Sequence, residues 1–345
     1  MIGILTMADM QRRDGSSIRP DLEAQGLLKN GFRDFKVFSP NPRKDAPYKQ
    51  EKVSVKKMRG RVLPFVRKRL GVDIVHAHQL SAMILKQRFI TDMHGFGIKE
   101  KEQIRYNPVK GFFLPRIAKR IEIRTIKDAE KLIVASNSIK EDILEYFNDL
   151  NLDITVVNNM IKPEDYKKTK QKELVVGIVG GFTNDWGVEN LKMLYEMLKI
   201  GCDFPIKTVG DITDGQMRMF EEFPNLKHLG RVSNKEYMEF LRSISVLLLP
   251  FPPQCGGGGS KNKLLEAAAS SIPIVSTPAG AIGFDEKDLI LIGKTAKSLI
   301  KRIKELENKS RRSQMGRKLR ETIEKNYNYK TEAKKLIKIY SALDY

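Results

Sequence analysis

A chain of 345 residues, 41% hydrophobic and 30% charged, has enough apolar matter for two domains of ordinary size and too much for a disordered polymer. Its formal charge of +20 calls for anionic company: nucleic acid, an acidic membrane leaflet or phosphorylated ligands, although lysine and glutamate enrichment also fits adaptation to heat. No run approaches the ~20 apolar residues of a membrane span, and two cysteines, Cys202 and Cys255, are too few for a disulfide framework or a zinc site.

The chain opens on a strand, Ile2 to Thr6, with no basic region or long apolar core of a signal peptide, so the expected location is the cytoplasm. Asp14-Gly15-Ser16-Ser17 follows and opens a helix through Leu22, Leu27 and Leu28 that Gly31 ends. A glycine-serine turn at a helix start either receives an anion on backbone N–H groups or is a plain turn with a cap. Phe35 to Ser39 is the second strand, and residues 40–50 are a polar, proline-containing loop. From Val53 to Leu70 the spacing of Val55, Met58, Val62, Phe65, Val66 and Leu70 predicts a helix kinked near Pro64. Lys52, Lys56, Lys57, Arg59, Arg61, Arg67, Lys68 and Arg69 crowd its other face, as on a helix lying on an anionic bilayer or on a merely solvated one.

Val72 to His78 and Phe89 to Gly95 read as buried strands ending in histidines. Ligands of open α/β sheets bind beyond the carboxyl ends of strands, which makes His76, His78 and His94 candidates. No third ligand stands at zinc-like spacing, so no metal is expected. Residues 110–127 form a second basic stretch, with Phe112, Phe113 and Leu114 beside Lys110, Arg116, Lys119 and Arg120. Lys131 to Ala135 is a strand, Ser136 caps a helix to Phe147, and Ile154 to Val157 closes the first α/β series.

Lys167 to Lys172 is polar and free of apolar residues, a linker. A second α/β series starts at Leu174 to Gly181. It continues through strands 205–209 and 226–229, helices 214–222 and 233–242, helices near 294–306 and 309–326, and a terminal helix from Tyr329 to Leu343. Its centre is the stretch 245–280: a buried strand (Val246 to Leu249), four glycines (Gly256 to Gly259), a helix from about Ser260 with Ser260 as N-cap, and a strand (Ile272 to Ser276). Glycines expose bare N–H groups, and a helix N-terminus adds a positive dipole end, which together suit phosphate. Lys261 and Lys263 in the first turn are unfavourable unless an anion offsets them. Glu266 is placed to accept hydrogen bonds from ligand hydroxyls.

This stretch resembles the donor-nucleotide site of GT-B glycosyltransferases of the retaining family 4 group. The similarity is to the branch with the motif Gly-Gly-(Thr/Ser)-(Arg/Lys)-x-Lys-x-Leu-Glu-Ala. Gly258, Gly259, Ser260, Lys261, Lys263, Leu265, Glu266 and Ala267 match every fixed position. The resemblance implies an α/β GT-B fold, two Rossmann-like domains facing each other across a cleft. Residues 1–166 would be the acceptor domain and 173–328 the donor domain, with helix 329–345 packing back on the first. It further implies that Glu266 holds the donor ribose, while the glycine amides and Lys263 hold the diphosphate. His94 would lie near the transferred sugar, Gly15 and Ser16 beside the bond being transferred, and Val232 at the base. His94, Lys263 and Glu266 are the expected catalytic set. Two departures stand out. The first glutamate of the commoner motif falls on Gly258, and the diphosphate-clamping arginine and lysine fall on Gly181 and Trp186. Lys261 and Lys263 are then the expected cations.

The activity so implied moves a sugar from a UDP- or GDP-linked donor to a glycan or lipid-linked acceptor with retention, with no obligatory cofactor. An anionic membrane surface contacted through 52–70 and 110–127, on the inner face of the membrane, would account for the charge. Three alternatives carry less. A nucleotide-sugar epimerase or hydrolase on the same scaffold lacks a placed acid/base pair. A nucleic-acid-binding protein lacks any recognised module, so no nucleic acid is expected. A nicotinamide oxidoreductase lacks a completed Gly-x-Gly-x-x-Gly after Gly177.

Overall fold

The computed structural model describes residues 1–12, 15–53, 56–58, 61–63, 69–79, 81, 87–98, 114–169, 171–183, 185–253 and 258–343, with backbone only at 15, 56–58, 61–63, 114–118, 185 and 186. The chain divides into two compact units: Met1–Met160 with Gly257–Gly259 and Asn326–Tyr345, and Ile161–Gly256 with Ser260–Lys325.

In the first unit, helix α1 (Gly15–Lys29) follows strand β1 (Ile2–Leu5). Strands β2 (Phe35–Ser39) and β3 (Gln50–Lys52) come next, then a ribbon, β4 (Lys56–Met58) with β5 (Arg61–Leu63). Strands β6 (Ile74–His78) and β7 (Phe89–Met93), helix α2 (Leu114–Asp128), β8 (Leu132–Val134), α3 (Asn137–Tyr146) and β9 (Ile154–Val156) complete the series. Seven strands form one parallel sheet in the order β3-β2-β1-β6-β7-β8-β9. Continuous apolar runs such as Ile2-Gly3-Ile4-Leu5 are buried throughout, as a sheet covered on both faces requires. Order reverses between β1 and β6, so the carboxyl ends of β1, β6 and β7 border a topological switch point.

The second unit repeats the theme. Its elements are β10 (Val176–Val179), α4 (Asp185–Ile200), β11 (Ile206–Val209), α5 (Asp214–Arg218), β12 (Leu226–His228), α6 (Asn234–Arg242), β13 (Val246–Leu249), α7 (Asn262–Ala269), β14 (Ile274–Ser276), β15 (Leu291–Ile292), α8 (Ala296–Lys304) and α9 (Lys309–Asn326). All strands run parallel in the order β12-β11-β10-β13-β14-β15. The segment after residue 160 is fastened to this unit: Thr169 N–H donates to Ser270 O and its hydroxyl to Ile244 O, at 2.9 and 2.8 Å.

Two expectations fail here. The basic amphipathic helix over 53–70 does not form where it is described: Lys56–Met58 and Arg61–Leu63 pair antiparallel, Met58 opposite Arg61. Two residues, Arg59 and Gly60, separate the paired strands, which is hairpin spacing with glycine second. β-Branched Val53, Val55 and Val62 favour extended backbone over the helical spacing. The loop expected over 40–50 also ends early, because Gln50 begins β3. Of the second basic stretch, Lys110 to Phe113 lie outside the described residues. Lys119, Arg120, Arg124 and Lys127 are exposed on α2, while its Glu122 turns inward to accept from Gly97 N–H at 2.7 Å. No helix among the described residues is long and apolar enough to cross a membrane.

The last helix, α10 (Tyr329–Ser341), returns to the first unit. Tyr329, Leu336, Ile339 and Tyr340 join the core that holds Ile2, Ile4, Leu22 and Leu27. Burial of four such side chains is worth roughly 1.5–3 kcal/mol each before entropy is subtracted. Gly26 lets the two helices touch: a Cβ there would stand 2.5 Å from Tyr329 O and 2.6 Å from Ala333 Cβ. Gly26→Ala therefore separates packing from propensity. In an open helix alanine gains about 1 kcal/mol, whereas here a loss of about 1–3 kcal/mol is expected from overpacking, read by urea unfolding.

Candidate active site

At the carboxyl ends of β6 and β7 a cluster of ionisable groups is sealed inside the first unit. Arg19, on α1, holds Asp92 with both arms: Nε donates to Oδ2 at 2.8 Å and Nη2 to Oδ1 at 2.9 Å. The remaining donors of Arg19 reach Val157 O (2.9 Å), Asn158 O (3.0 Å) and Asn159 Oδ1 (3.2 Å). Arg19, Glu23, His76, His78 and Asp92 are all buried. Burial would raise Asp92, but the Arg19 guanidinium, then the neighbouring imidazoles, hold it well below the usual carboxylate range. Glu23, one helical turn from Arg19, is pushed up to about 8 by burial and by the Asp92 charge.

His76 stacks on His78 with ring centroids 5.0 Å apart, since alternate strand residues share a face. His76 Nδ1 lies 2.6 Å from the Tyr340 hydroxyl, and His78 Nδ1 lies 2.9 Å from His94 Nε2. His94 sits just past β7, its side chain 16% exposed. Burial pushes its pKa well below the ordinary value, against the pull of Asp92, so the imidazole is neutral near pH 7. Sequence spacing supplied no third ligand-type residue beside His76 and His78. The fold brings Glu23 and Asp92 to them, and the legible sign was a lone carboxylate inside the apolar run Phe89-Ile90-Thr91-Asp92-Met93.

In the second unit the basic residues of the glycine motif meet a strand end. Lys263, in the first turn of α7, donates to Val179 O at 2.6 Å, and its ammonium stands 5.0 Å from the centre of the Phe251 ring. Lys261 approaches the same ring at 5.8 Å. Glu266 lies three residues beyond Lys263, on the same helix face. Tyr237, on α6, donates to its Oε2 at 2.5 Å, and Tyr166 donates to its Oε1 at 3.3 Å. Burial and then the Glu266 charge push Tyr237 well above the usual phenol range, which keeps it a donor. Neither tyrosine, nor Phe251, was a sequence candidate, because none belongs to the motif.

Other candidates fall as follows. Gly15 opens α1 and Ser16 is exposed beside it. Gly181 is exposed after β10, and a Cβ at Gly187 would stand 2.0 Å from its carbonyl, so the start of α4 presses on this turn. Val232 is half-buried ahead of Ser233, which caps α6. Ser260 is not the N-cap expected of it: α7 starts at Asn262 with Lys261 at the cap position and no side-chain capping bond. Gly256 and Gly257 lie outside the described residues. Gly258 and Gly259 group with the first unit, where a Cβ on Gly258 would meet Ile139 Cγ1 at 2.5 Å and one on Gly259 would meet His94 O at 2.9 Å. Ser136, which caps α3 as expected, also donates to Gly258 O at 2.5 Å. Close packing against the Ile139 side chain at Gly258, and against the His94 carbonyl at Gly259, leaves no room for a Cβ at either position.

Two family models match the chain: "Glycosyltransferase Family 4" over residues 24–165 and "Glycosyl transferase-like" over residues 188–338. Sequence comparison with curated proteins gives no match. Solved structures similar over nearly the whole chain include the sucrose-phosphate synthase of Thermosynechococcus elongatus, at TM-score 0.77 and 13% identity, covering 99% of this chain and 98% of that one. WaaG, a glycosyltransferase involved in lipopolysaccharide biosynthesis, aligns at TM-score 0.72 and 13% identity over 99% and 100%. A glycosyltransferase from Rickettsia africae aligns at 0.68 and 15% over 99% and 97%. With glycosyltransferase models on both halves and the paired Rossmann-like architecture, the chain is a glycosyltransferase of the GT-B fold.

The Arg19–Asp92 pair allows a direct test. Arg19→Met leaves buried carboxylates uncompensated, and unfolding stability should fall by about 3–5 kcal/mol. Adding Asp92→Asn should restore part of that loss, a coupling measured by a double-mutant cycle in urea.

Proposed function

We propose that this glycosyltransferase takes a nucleoside-diphosphate sugar, UDP- or GDP-linked, and passes the sugar to a glycan or lipid-linked acceptor with retention of configuration. The observation that carries the reading is the pairing on one face of α7. Lys263 is an ammonium fixed at the carboxyl end of β10, and Glu266 is a carboxylate oriented by two phenols. The ammonium suits a diphosphate, and the carboxylate suits the vicinal hydroxyls of a ribose. As the glycosidic bond breaks, charge accumulates on the departing diphosphate, so a cation already in place lowers the barrier, with ~3 kcal/mol typical for one such donor. Lys261 adds a second positive charge where the related pattern has an arginine and lysine at the positions of Gly181 and Trp186.

His94 is proposed to face the transferred sugar, with its neutral imidazole as a hydrogen-bonding group. Gly15 and Ser16 are proposed to border the reacting bond, and Val232 to touch the base through its backbone. No protein nucleophile is invoked, which leaves front-face attack as the route to retention. A lipid-linked acceptor, with peripheral binding at the inner membrane face, is favoured by the +20 charge and by the exposed cations of α2. WaaG, of similar fold, acts in lipopolysaccharide biosynthesis. Co-sedimentation with anionic vesicles should occur at low salt and vanish at high salt. Absence of binding at low salt removes the lipid argument.

Calorimetry with UDP, GDP, NAD and duplex DNA tests the donor assignment. One nucleoside diphosphate should bind in preference to both NAD and DNA, and the reverse order overturns it. With the donor found by thermal shift across a nucleotide-sugar panel, Lys263→Ala should lower kcat by about 10²–10³-fold. Glu266→Ala should mainly weaken nucleotide binding.

A further inference from the structure

Glu23 and both ring systems beside it pose a problem that the glycosyl-transfer chemistry leaves unsolved. Both carboxylate oxygens of Glu23, together with Nε2 of His76 and of His78, are buried without a hydrogen-bond partner among the described residues. Glu23 itself is 0% exposed. Arg19 does not relieve it. The guanidinium comes within 3.1 Å of Glu23 Oε1, but its N–H groups are aimed at Asp92, Val157, Asn158 and Asn159. Buried polar atoms left in this condition cost free energy each, and native structures hold few of them.

The four groups converge. One ligand-type atom from each of Glu23, His76, His78 and Asp92 lies within 4.8 Å of all the others. His78 Nε2 is 3.1 Å from Glu23 Oε2, and His76 Nε2 is 3.4 Å from Asp92 Oδ2. Tetrahedral bonds of 2.0–2.2 Å to nitrogen and oxygen place neighbouring ligand atoms about 3.3–3.6 Å apart, so these edges need shift by only a few tenths of an ångström. The other ring nitrogens are already occupied. His76 Nδ1 meets the Tyr340 hydroxyl and His78 Nδ1 meets His94 Nε2, the outer contacts that fix tautomer and ring orientation in metal-bound histidines. His76 Nε2 and His78 Nε2 each stand within 3.4 Å of a carboxylate oxygen with no hydrogen bond between them, an arrangement that a cation placed among these atoms would relieve.

We propose that Glu23, His76, His78 and Asp92 form a closed tetrahedral site for one divalent ion of the zinc class. The ion ties α1 to the ends of β6 and β7. Two imidazoles and two carboxylates suit zinc or cobalt better than calcium or magnesium, which prefer all-oxygen shells. Charge agrees: two buried carboxylates face Arg19 and a doubly charged ion, whereas Arg19 alone matches only one of them. Because the site is closed, the ion is structural. It reaches the proposed reaction only by orienting His94 through His78, and that last step alone rests on the donor reading above.

The full-length protein, freed of metal by chelator dialysis, is titrated with Co²⁺ and then Zn²⁺. One equivalent of Co²⁺ should give a visible tetrahedral absorption band that one equivalent of Zn²⁺ abolishes, and Zn²⁺ should raise the melting temperature. Glu23→Gln and His76→Gln should lose the band while keeping native circular dichroism, and His228→Asn, which alters the remaining histidine, should keep it. The proposal is overturned if folded wild-type protein shows no saturable band at neutral pH, or if the band survives in Glu23→Gln. Should the variants unfold, X-ray absorption of the zinc-loaded wild type decides: a shell with two imidazoles supports the site, and one without them sinks it. None of these readouts depends on sugar transfer, so failure here and failure of the donor assignment are distinguishable.

Discussion

The first unit is built around one buried guanidinium. Arg19 neutralises Asp92, and its other donors take up the carbonyls of Val157 and Asn158 and the side chain of Asn159, so one side chain links α1, β7 and the segment that follows β9. Arginine suits the task because its planar fork meets a carboxylate two-for-two and stays charged when buried. Everything nearby is arranged in consequence. His76, His78 and His94 line one side of Asp92, and Glu332 of α10 accepts from Asn158 N–H. A lysine in this place could not make the same five bonds.

In the second unit the equivalent role falls to a surface-reaching lysine. Lys263 springs from the first turn of α7, bonds to the end of β10 and lies against Phe251. These contacts fix its position, so little side-chain entropy would remain to be lost if it bound the proposed diphosphate. Glu266 is likewise fixed by Tyr166 and Tyr237. The turns at the ends of β10, β11 and β12 leave little room beside them: Gly210, at φ +140°, would place a Cβ 1.5 Å from Gly180 O. Glycine is required there by backbone packing, as at Gly259.

Most strands were legible because parallel strands buried on both faces read as unbroken apolar runs; Val246–Leu249 and Phe35–Ser39 appear with the bounds their composition implies. The ribbon at 56–63 was not, because the spacing of Val53, Val55, Met58 and Val62 among polar residues satisfies helical and extended patterns alike, and only Gly60 argued for a turn. Of the candidate site, Lys263 and Glu266 were singled out through a contiguous motif that runs from Gly258 to Ala267. Arg19, Glu23 and Asp92 were not. The contact of Arg19 with Asp92 spans 73 positions, which periodicity within a single element cannot encode. Tyr166 and Tyr237 were missed for the same reason, being partners assembled only by tertiary packing.

Helix α10 has a further consequence. The first 160 residues leave the ribosome well before Tyr340, yet the core of their unit includes Tyr329, Leu336 and Tyr340, and His76 rests against the Tyr340 hydroxyl. During vectorial synthesis the amino-terminal sheet must wait, with the α1 face uncovered, while the whole intervening unit is translated. Its final closure waits on the synthesis of α10, and nascent chains stalled before residue 326 lack the helix that completes the core around Ile2, Leu22 and Leu27.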